Sequence, residues 1–236
     1  MISIAIANYN RSDMTMEAFA KVLDNPFVSE VVIVDDCSDV EVYEDLARKI
    51  EGLDKVALYR NDENLGPFWN KREAVRRCRN EWVILLDCDN SIDNDYINFA
   101  ENIEKRNDTI YCPAVVRILR PEGGQWDFTL LSGGVDKNTA KDFVDIRLFK
   151  ILMNTGNYLI NRKACLNTFV ARMFSADLSE LDTFYFNYLW IESGNRLSVE
   201  SGLTYAHRIH DDSYYLKNVD LFLSIQKRLT NLIKEL

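Results

Sequence analysis

Short apolar runs alternate with amphipathic stretches along the first half of the chain. Three of the runs are almost wholly apolar, with many β-branched residues: 2–7, which contains one serine, 31–34 and 83–86. Such runs are typical of strands buried on both faces of a sheet. Helical patterns lie between them, at 11–23, 40–50 and 69–79. Strands that alternate with helices of about a dozen residues predict βαβ units and a mostly parallel sheet.

Polar clusters follow three of the predicted strands. They are Asn8-Tyr9-Asn10-Arg11, Asp35-Asp36 and Asp87-Cys88-Asp89. In open α/β sheets, ligands bind in the crevice beyond the carboxyl ends of the strands. We therefore expect one crevice to collect all three clusters.

The second half of the chain has a less regular pattern. It predicts a strand at 111–119, a strand pair within 143–162, an amphipathic helix at 177–194 that stops at Gly194, and a helical stripe at 214–236. We expect a single domain in three parts: a first half at 1–108, a second half at 109–213 and a C-terminal helix at 214–236.

Composition and charge narrow the function classes. A chain of 236 residues can bury a sizeable core, and 28 basic against 37 acidic residues give a net charge of −9. That balance argues against nucleic acid as a partner. Five cysteines without a CxxC pair predict reduced thiols in a cytoplasmic protein. No apolar run approaches the roughly 18 residues of a membrane span, which leaves peripheral association with a membrane open.

Asp87 and Asp89 point to a divalent cation. Carboxylate oxygens suit magnesium or manganese, and magnesium usually shares its coordination shell with substrate phosphates. The alternative is that both aspartates only cap the following segment. The spacing of two carboxylates does not decide between the two interpretations.

Four sequence blocks occur in a fixed order: SIAIANYNR at 3–11, EVVIVDDCSDV at 30–40, NDENLG at 61–66 and LLDCDN at 85–90. Together they resemble the family 2 glycosyltransferases, and four blocks are more specific than one Asp-x-Asp. The resemblance implies the α/β GT-A fold, with a Rossmann-like, mostly parallel central sheet flanked by helices.

The resemblance also implies a nucleotide-sugar-binding half at 1–108, an acceptor-side half at 109–213, and an activity. Family members use a nucleotide-sugar donor and a divalent cation, manganese or magnesium, that bridges the donor diphosphate. They transfer the sugar with inversion to a hydroxyl of a glycan or lipid-linked saccharide. UDP is the expected nucleotide on family frequency. The enzyme is expected to be a hexosyltransferase that acts in bacterial surface polysaccharide synthesis at the inner face of the membrane. The sequence predicts no particular oligomeric state.

Matched by motif, the resemblance implies a set of donor-binding residues. Asp36 would hydrogen-bond the nucleobase, Asp87 would lie beside the ribose and Asp89 would hold the metal. The other implied donor-binding residues are Ala7 and Tyr9 in the base pocket, Gly66, and one of Lys71 and Arg72, which replace the common Arg-Asn pair. Asn90 stands where a third aspartate is frequent. Tyr9 could equally pack in the core, and Asp35 could serve a turn.

The catalytic base and a second metal ligand are expected from the second half. In the family, an acidic residue at the start of a helix, about a dozen residues before a glycine, removes the acceptor proton. Asp182 has this position relative to Gly194, while Glu180 is the rival and Leu181 replaces the usual glutamate. An acidic residue also suits a helix N-terminus for dipole reasons alone. His210 is the implied ligand of the metal or diphosphate, with His207 as the spare.

Two other function classes compete with a glycosyltransferase. A sugar nucleotidyltransferase would carry a glycine-rich signature near its N-terminus, whereas residues 1–24 contain no glycine. A catalytically inactive GT-A-like module that binds carbohydrate or a partner is favoured by the departures at Lys71, Arg72 and Leu181. Cleavage of a nucleotide-sugar would discriminate against the inactive module.

Overall fold

The structure is a computed structural model that describes residues 1–170, 175–210 and 214–236. In these ranges the chain forms a single mixed sheet. Its strands are β1 (Ile2–Asn8), β2 (Val28–Asp35), β3 (Val56–Arg60), β4 (Trp82–Asp87), β5 (Thr109–Leu119), β6 (Gln125–Asp127), β7 (Tyr158–Asn161) and β8 (Arg196–Arg208).

Helices connect and flank the strands. The α-helices are α1 (Ser12–Phe19), α2 (Val40–Ile50), α3 (Pro67–Arg77), α4 (Asn94–Asn102), α5 (Ala140–Phe143), α6 (Arg147–Met153), α7 (Arg162–Val170), α8 (Ala176–Ser179), α9 (Asp182–Glu192), α10 (Tyr214–Lys217) and α11 (Val219–Lys234). Two short 3-10 helices lie at Ala20–Val22 and Thr129–Leu131. Helix α3 packs on β1 and β2, and α4 packs on β8.

The sheet has a parallel half and a mixed half. Strands β3, β2, β1 and β4 are neighbours in that order and all run parallel. Next to them, β7 runs antiparallel to both β4 and β5, β6 forms a hairpin with β5, and β8 pairs parallel with β5. The ends of β1, β2 and β4 lie level, because Asn8 pairs with Asp35 and Ala7 pairs with Asp87. The three polar clusters therefore meet at one edge, as predicted.

The apolar runs explain why β1, β2 and β4 occupy the centre. Their side chains from Ile4 to Ile6, Val31 to Val34 and Val83 to Leu86 are all buried. Burial on both faces of the sheet requires apolar residues at every position rather than at every second one. The mostly parallel core predicted from the pattern is thus confirmed.

Helix α9 is buried on every side, although the sequence predicted an amphipathic helix. All of its residues from Thr183 to Ile191 are buried. Its Phe186 packs on Phe169 of α7, with ring centroids 4.7 Å apart, and Phe169 packs on Phe68 of α3 at 4.9 Å. This aromatic cluster fixes the start of α9 beside α3.

Other local predictions are corrected by the structure. The strand pair expected within 143–162 is wrong, since only β7 forms there and α6 precedes it. The helix predicted at 177–194 is two helices, α8 and α9, and Gly194 follows α9 with a positive φ of 88°. The sequence itself favours Ser12 or Asp13 as the N-cap of α1, since short polar side chains are good caps, but the structure places Arg11 there.

The C-terminal segment and the thiols add two observations. The C-terminal stripe forms α10 and α11 rather than one helix, and the expected boundary at 213 lies outside the described residues. All five cysteines are free thiols, as predicted. Of the helices in the described ranges, none combines the length and apolar character needed to cross a membrane.

Candidate active site

The site is built around the turn that follows β4. Asp87 is the last residue of the strand, and Asp89 lies two residues on, within the turn. Asn90 is buried and donates from Nδ2 to Asp87 Oδ2 at 3.3 Å, while its Oδ1 accepts the main-chain N–H of Arg208 at 3.2 Å. An asparagine at this position therefore ties the turn to the end of β8.

Lys71 joins the two halves of the chain at this turn. Its Nζ lies 2.9 Å from Asp87 Oδ1 and 2.6 Å from Asp182 Oδ2, and it donates to Thr183 Oγ1 at 3.0 Å. Phe68 precedes Lys71 by one helical turn and packs in the aromatic cluster, so α3 presents Lys71 toward the start of α9. The structure thus brings together Lys71, Asp87 and Asp182, which sequence reasoning proposed separately.

The ion pairs determine the charge states of this group. Although burial disfavours an ammonium, the carboxylates of Asp182 and Asp87 raise the pKa of Lys71 above its ordinary value. Burial likewise opposes ionisation of Asp87, but Lys71 and a hydrogen bond from Asn157 hold the pKa of Asp87 below its usual range. Lys71 is therefore a permanent cation beside an ionised Asp87.

Among the described residues, Asp89 has two polar partners. Arg11 Nη1 lies 2.8 Å from Asp89 Oδ2, and His210 Nε2 lies 3.2 Å from the same oxygen. His207 is two residues past Tyr205 on β8 and packs on Trp126 with ring centroids 5.2 Å apart. Burial lowers the pKa of His207 despite the opposing charges of Asp89 and Asp87. The structure thus brings His210, and not His207, into contact with Asp89.

The residues around Asp89 fit a metal with few protein ligands. A carboxylate oxygen and an imidazole nitrogen meet there, and the other ring nitrogen of His210, Nδ1, is buried without a hydrogen-bond partner in the described part of the chain. Within that part, no three His, Cys, Asp or Glu side chains gather as a metal cluster. A cation at Asp89 would thus draw most of its ligands from substrate oxygens and water, as magnesium commonly does.

The predicted base pocket lies at the ends of β1 and β2. Asp36 is buried and accepts hydrogen bonds from the main-chain N–H groups of Leu65 and Gly66, both at 2.9 Å, and from Asn61 Nδ2 at 2.8 Å. Burial raises the pKa of Asp36, although these hydrogen bonds oppose the shift. Asp36 thereby holds the loop that leads into α3, whatever else it binds.

The other predicted base-pocket residues flank Asp36. Ala7 pairs with Val34 on one side and Asp87 on the other, and Tyr9 is 48% exposed just past the end of β1. Gly66 is the N-cap of α3 with a φ of 80°, a conformation that favours glycine. Asp35 accepts from Asn8 and Ser38, which is the turn role left open above.

Two pairs of alternative site residues were predicted, Lys71 or Arg72 and Asp182 or Glu180. Arg72 pairs with the adjacent Glu73 at 2.9 Å and stacks on Trp69 at 5.8 Å, so the structure places Lys71 and not Arg72 among the site carboxylates. Glu180 is the C-cap of α8, whereas Asp182 is the first residue of α9 and carries the ion pair to Lys71. The choice of base between Asp182 and Glu180 stays a prediction.

Sequence reasoning missed two residues of this site. Arg11, in the polar cluster after β1, was noted only as part of the family motif and proves to be the ion-pair partner of Asp89. Asn157, in the connection before β7, bonds Asp87 with both ends of its amide. An isolated asparagine in an irregular segment carries no sequence signal for such a role.

Comparison with known proteins identifies the family of this chain. The family described as Glycosyl transferase family 2 matches residues 3–179. The chain belongs to glycosyltransferase family 2. That match runs from the start of β1 to the end of α8, so it includes the turn at Asp87 and Asp89 and stops just before Asp182. No protein in a curated collection matches the chain.

Solved structures show the fold of this family member. TarS of S. aureus, residues 1–349 in complex with UDP-GlcNAc, matches 98% of this chain and 66% of its own length, at a TM-score of 0.69 and 17% identity. GalNAc-T7 with UDP, GalNAc and Mn²⁺ matches 94% of this chain and 47% of its own length, at 0.65 and 16%. The predicted GT-A fold is thereby confirmed. In another crystal structure of TarS residues 1–349, the chain covers 64% of that length, which is less than two thirds.

Proposed function

We propose that this chain is an inverting, metal-dependent hexosyltransferase that uses a nucleotide-sugar, with UDP as the nucleotide. The observation that supports this most is the contact of Lys71 with both Asp87 and Asp182. That contact brings the donor-side carboxylate of the Asp-x-Asp turn to the acidic residue that would serve as base. A transfer reaction needs both groups on one crevice.

Asp182 is the general base in this mechanism. It lies at the start of α9 with its side chain only 18% exposed and is held by Lys71. Its carboxylate would accept the proton of the acceptor hydroxyl as the sugar acquires oxocarbenium character. Lys71 supplies a fixed positive charge at the edge where negative charge develops on the departing diphosphate.

Asp89 and His210 are the protein groups that would hold the divalent cation. Such a cation supplies Lewis-acid stabilisation of the leaving diphosphate. Arg11 shares the same Asp89 oxygen and positions this carboxylate at the mouth of the crevice. Asp36, Ala7 and Tyr9 would form the base pocket at the neighbouring strand ends.

The acceptor is proposed to be a hydroxyl of a glycan or lipid-linked saccharide, in surface polysaccharide synthesis at the cytoplasmic face of a membrane. This part rests on membership of the family.

Thermal unfolding with a nucleotide panel tests the donor site. UDP, GDP, dTDP and CMP are each added with and without Mn²⁺ to the wild type, to Asp89→Asn and to the control Asp54→Asn, which removes an exposed charge at the opposite end of the sheet. A ligand at about a hundred times its Kd stabilises by about 2.7 kcal/mol, or about 5–10 °C in Tm for a chain of this size.

The expected result is a manganese-dependent shift for one nucleotide, retained in Asp54→Asn and lost in Asp89→Asn. A shift that survives in Asp89→Asn would contradict the metal site. The absence of a shift with every nucleotide in the wild type would favour the inactive module.

A further inference from the structure

Asn157 has an unusual backbone conformation for a buried residue. It lies between α6 and β7, is 1% exposed, and has a φ of +63°. Only two other non-glycine residues in the described ranges, Asn10 and Cys37, have a positive φ. Asparagine tolerates this left-handed region better than most residues, yet the conformation still costs free energy. Because buried Asn157 keeps this positive-φ conformation, we expect its side chain to have a specific function.

The side chain of Asn157 extends the pairing of β4 with β7. The last ladder pair at this end joins Leu85 to Tyr158. Beyond it, Asn157 Oδ1 accepts the main-chain N–H of Asp87 at 2.8 Å, and Asn157 Nδ2 donates to Asp87 Oδ2 at 3.2 Å. One amide therefore fixes both the backbone and the carboxylate of Asp87, which only a group with a donor and an acceptor can do.

Asn157 is itself anchored from behind. Tyr96 of α4, which is 1% exposed, donates its hydroxyl to the main-chain oxygen of Asn157 at 2.7 Å. Gly156 lies so close to Asp87 that a Cβ atom there would stand 3.2 Å from Asp87 Oδ2. The backbone of the connection is thus packed against the carboxylate that it orients.

The two oxygens of Asp87 are held by different parts of the chain. Lys71 binds Oδ1, while Oδ2 accepts from the neutral amides of Asn157 and Asn90. With both oxygens bound, the carboxylate has a single orientation toward the crevice. The amide donors orient it without bringing a second charge.

We propose that Asn157 is a positioning residue of the donor site, which acts by fixing Asp87 in the orientation that binds the nucleotide. This inference rests on the proposed function, because it assumes that Asp87 contacts the donor. It gives the second half of the chain, besides His210, a share in donor binding through the orientation of Asp87.

Asn157→Gly separates this role from a structural one. Glycine adopts the positive φ without strain, so the substitution removes both amide hydrogen bonds while relieving the backbone. The control is Asn161→Ala at the far end of β7, where a buried amide donates to Asn107 at 2.9 Å and to Glu81 at 3.2 Å, away from the site. Both variants lose buried hydrogen bonds, one directly before β7 and the other at the far end of that strand.

Binding of UDP with Mn²⁺ is measured by calorimetry for the wild type and both variants, with Tm recorded in parallel. We expect Asn157→Gly to raise the Kd by about tenfold or more, which is usual when a residue that hydrogen-bonds a ligand-binding side chain is removed. Asn161→Ala should lower Tm and leave the Kd within about twofold of the wild type. In UDP-sugar cleavage, Asn157→Gly should raise KM more than it lowers kcat.

Asn157→Asp sharpens the test, since it keeps the size of the side chain but places a carboxylate against Asp87. It should bind UDP more weakly than Asn157→Gly does at neutral pH. If the wild type binds UDP and Asn157→Gly binds it equally well, the positioning role is overturned and the proposed function stands. If the wild type binds no nucleotide of the panel, the proposed function fails first and the role assigned to Asn157 fails with it.

Discussion

Replacement of Lys71 by methionine is the perturbation whose effect the structure defines best. Lys71 is 12% exposed, and its ammonium lies within 2.9 Å of Asp87 and 2.6 Å of Asp182. Methionine keeps the length and apolar stem of the side chain but leaves two carboxylates facing each other without a cation. Loss of one partner of a buried ion pair costs about 3–5 kcal/mol.

The expected cost lies near the lower end of that range. Asp87 is 28% exposed and Asp182 is 18% exposed, so water partly solvates the carboxylates that lose their partner. We expect a loss of about 2–4 kcal/mol in the free energy of unfolding, since partial solvation reduces the penalty. For a chain of this length the Tm should fall by about 5–12 °C.

The assay is thermal unfolding of Lys71→Met beside two comparison variants. Lys49→Met removes an exposed lysine that pairs with Asp45 and Asp13 on the surface, where ion pairs contribute little. Lys71→Arg keeps the positive charge at the site. We expect the wild type to have the highest Tm of these three proteins, Lys49→Met a lower one and Lys71→Met the lowest. The Tm of Lys71→Arg should lie above that of Lys71→Met.

The loss of stability in Lys71→Met should depend on pH. Lys71 lowers the folded-state pKa of Asp87, so its contribution to stability is complete above the unfolded pKa and is lost as the pH falls through the folded value. The difference between wild type and Lys71→Met should therefore stay nearly constant from pH 7 down to about pH 4, the ordinary range of an aspartate, and narrow below it. A Lys71→Met protein as stable as Lys49→Met at pH 7 would refute the reasoning.

Two predictions concern the scaffold. Glu30 is buried at the end of the sheet opposite the site. Burial opposes its ionisation, but hydrogen bonds from Ser3 and Arg79 lower its pKa. Glu30→Gln should therefore lower the free energy of unfolding by about 2 kcal/mol at neutral pH. Denaturant titrations should show that this deficit shrinks as the pH falls below the ordinary pKa of a glutamate. A deficit independent of pH would count against this account. Gly202→Ala would place a Cβ 1.9 Å from the Phe99 ring, so it should lose about 1–3 kcal/mol by overpacking, whereas Gly133→Ala, with open space around it, should unfold like the wild type in the same titrations.

The central strands could be predicted because their signal is local. An apolar run such as 83–86 is buried on both faces wherever it lies in a parallel sheet, so β1, β2 and β4 follow from the pattern alone. The segment 143–162 carries no comparable signal. Its run Leu148-Phe149-Lys150-Ile151-Leu152 is compatible with a strand or with a short helix. Tertiary packing, and not the local pattern, determines that it forms α6.

The site was predictable in parts and not as an assembly. The family motifs selected Asp87, Asp89 and Asp182, but the contact between Lys71 and Asp182 joins residues more than a hundred positions apart. That contact follows from the packing of Phe68 and Phe186 around Phe169, which no local pattern encodes. Asn157 acts through a backbone conformation and a single amide, so tertiary structure was needed to find it.

Release of nucleoside diphosphate from UDP-sugars tests the central claim most directly. Wild type, Asp182→Asn and Glu180→Gln are compared with Mn²⁺, first with water and then with saccharide acceptors, and UDP binding is measured on the same samples. The account predicts that Asp182→Asn still binds UDP while its turnover falls by about 10²- to 10⁴-fold, and that Glu180→Gln retains turnover. Normal turnover by Asp182→Asn would contradict the assigned base, and no release by the wild type under any of these conditions would contradict the proposed activity.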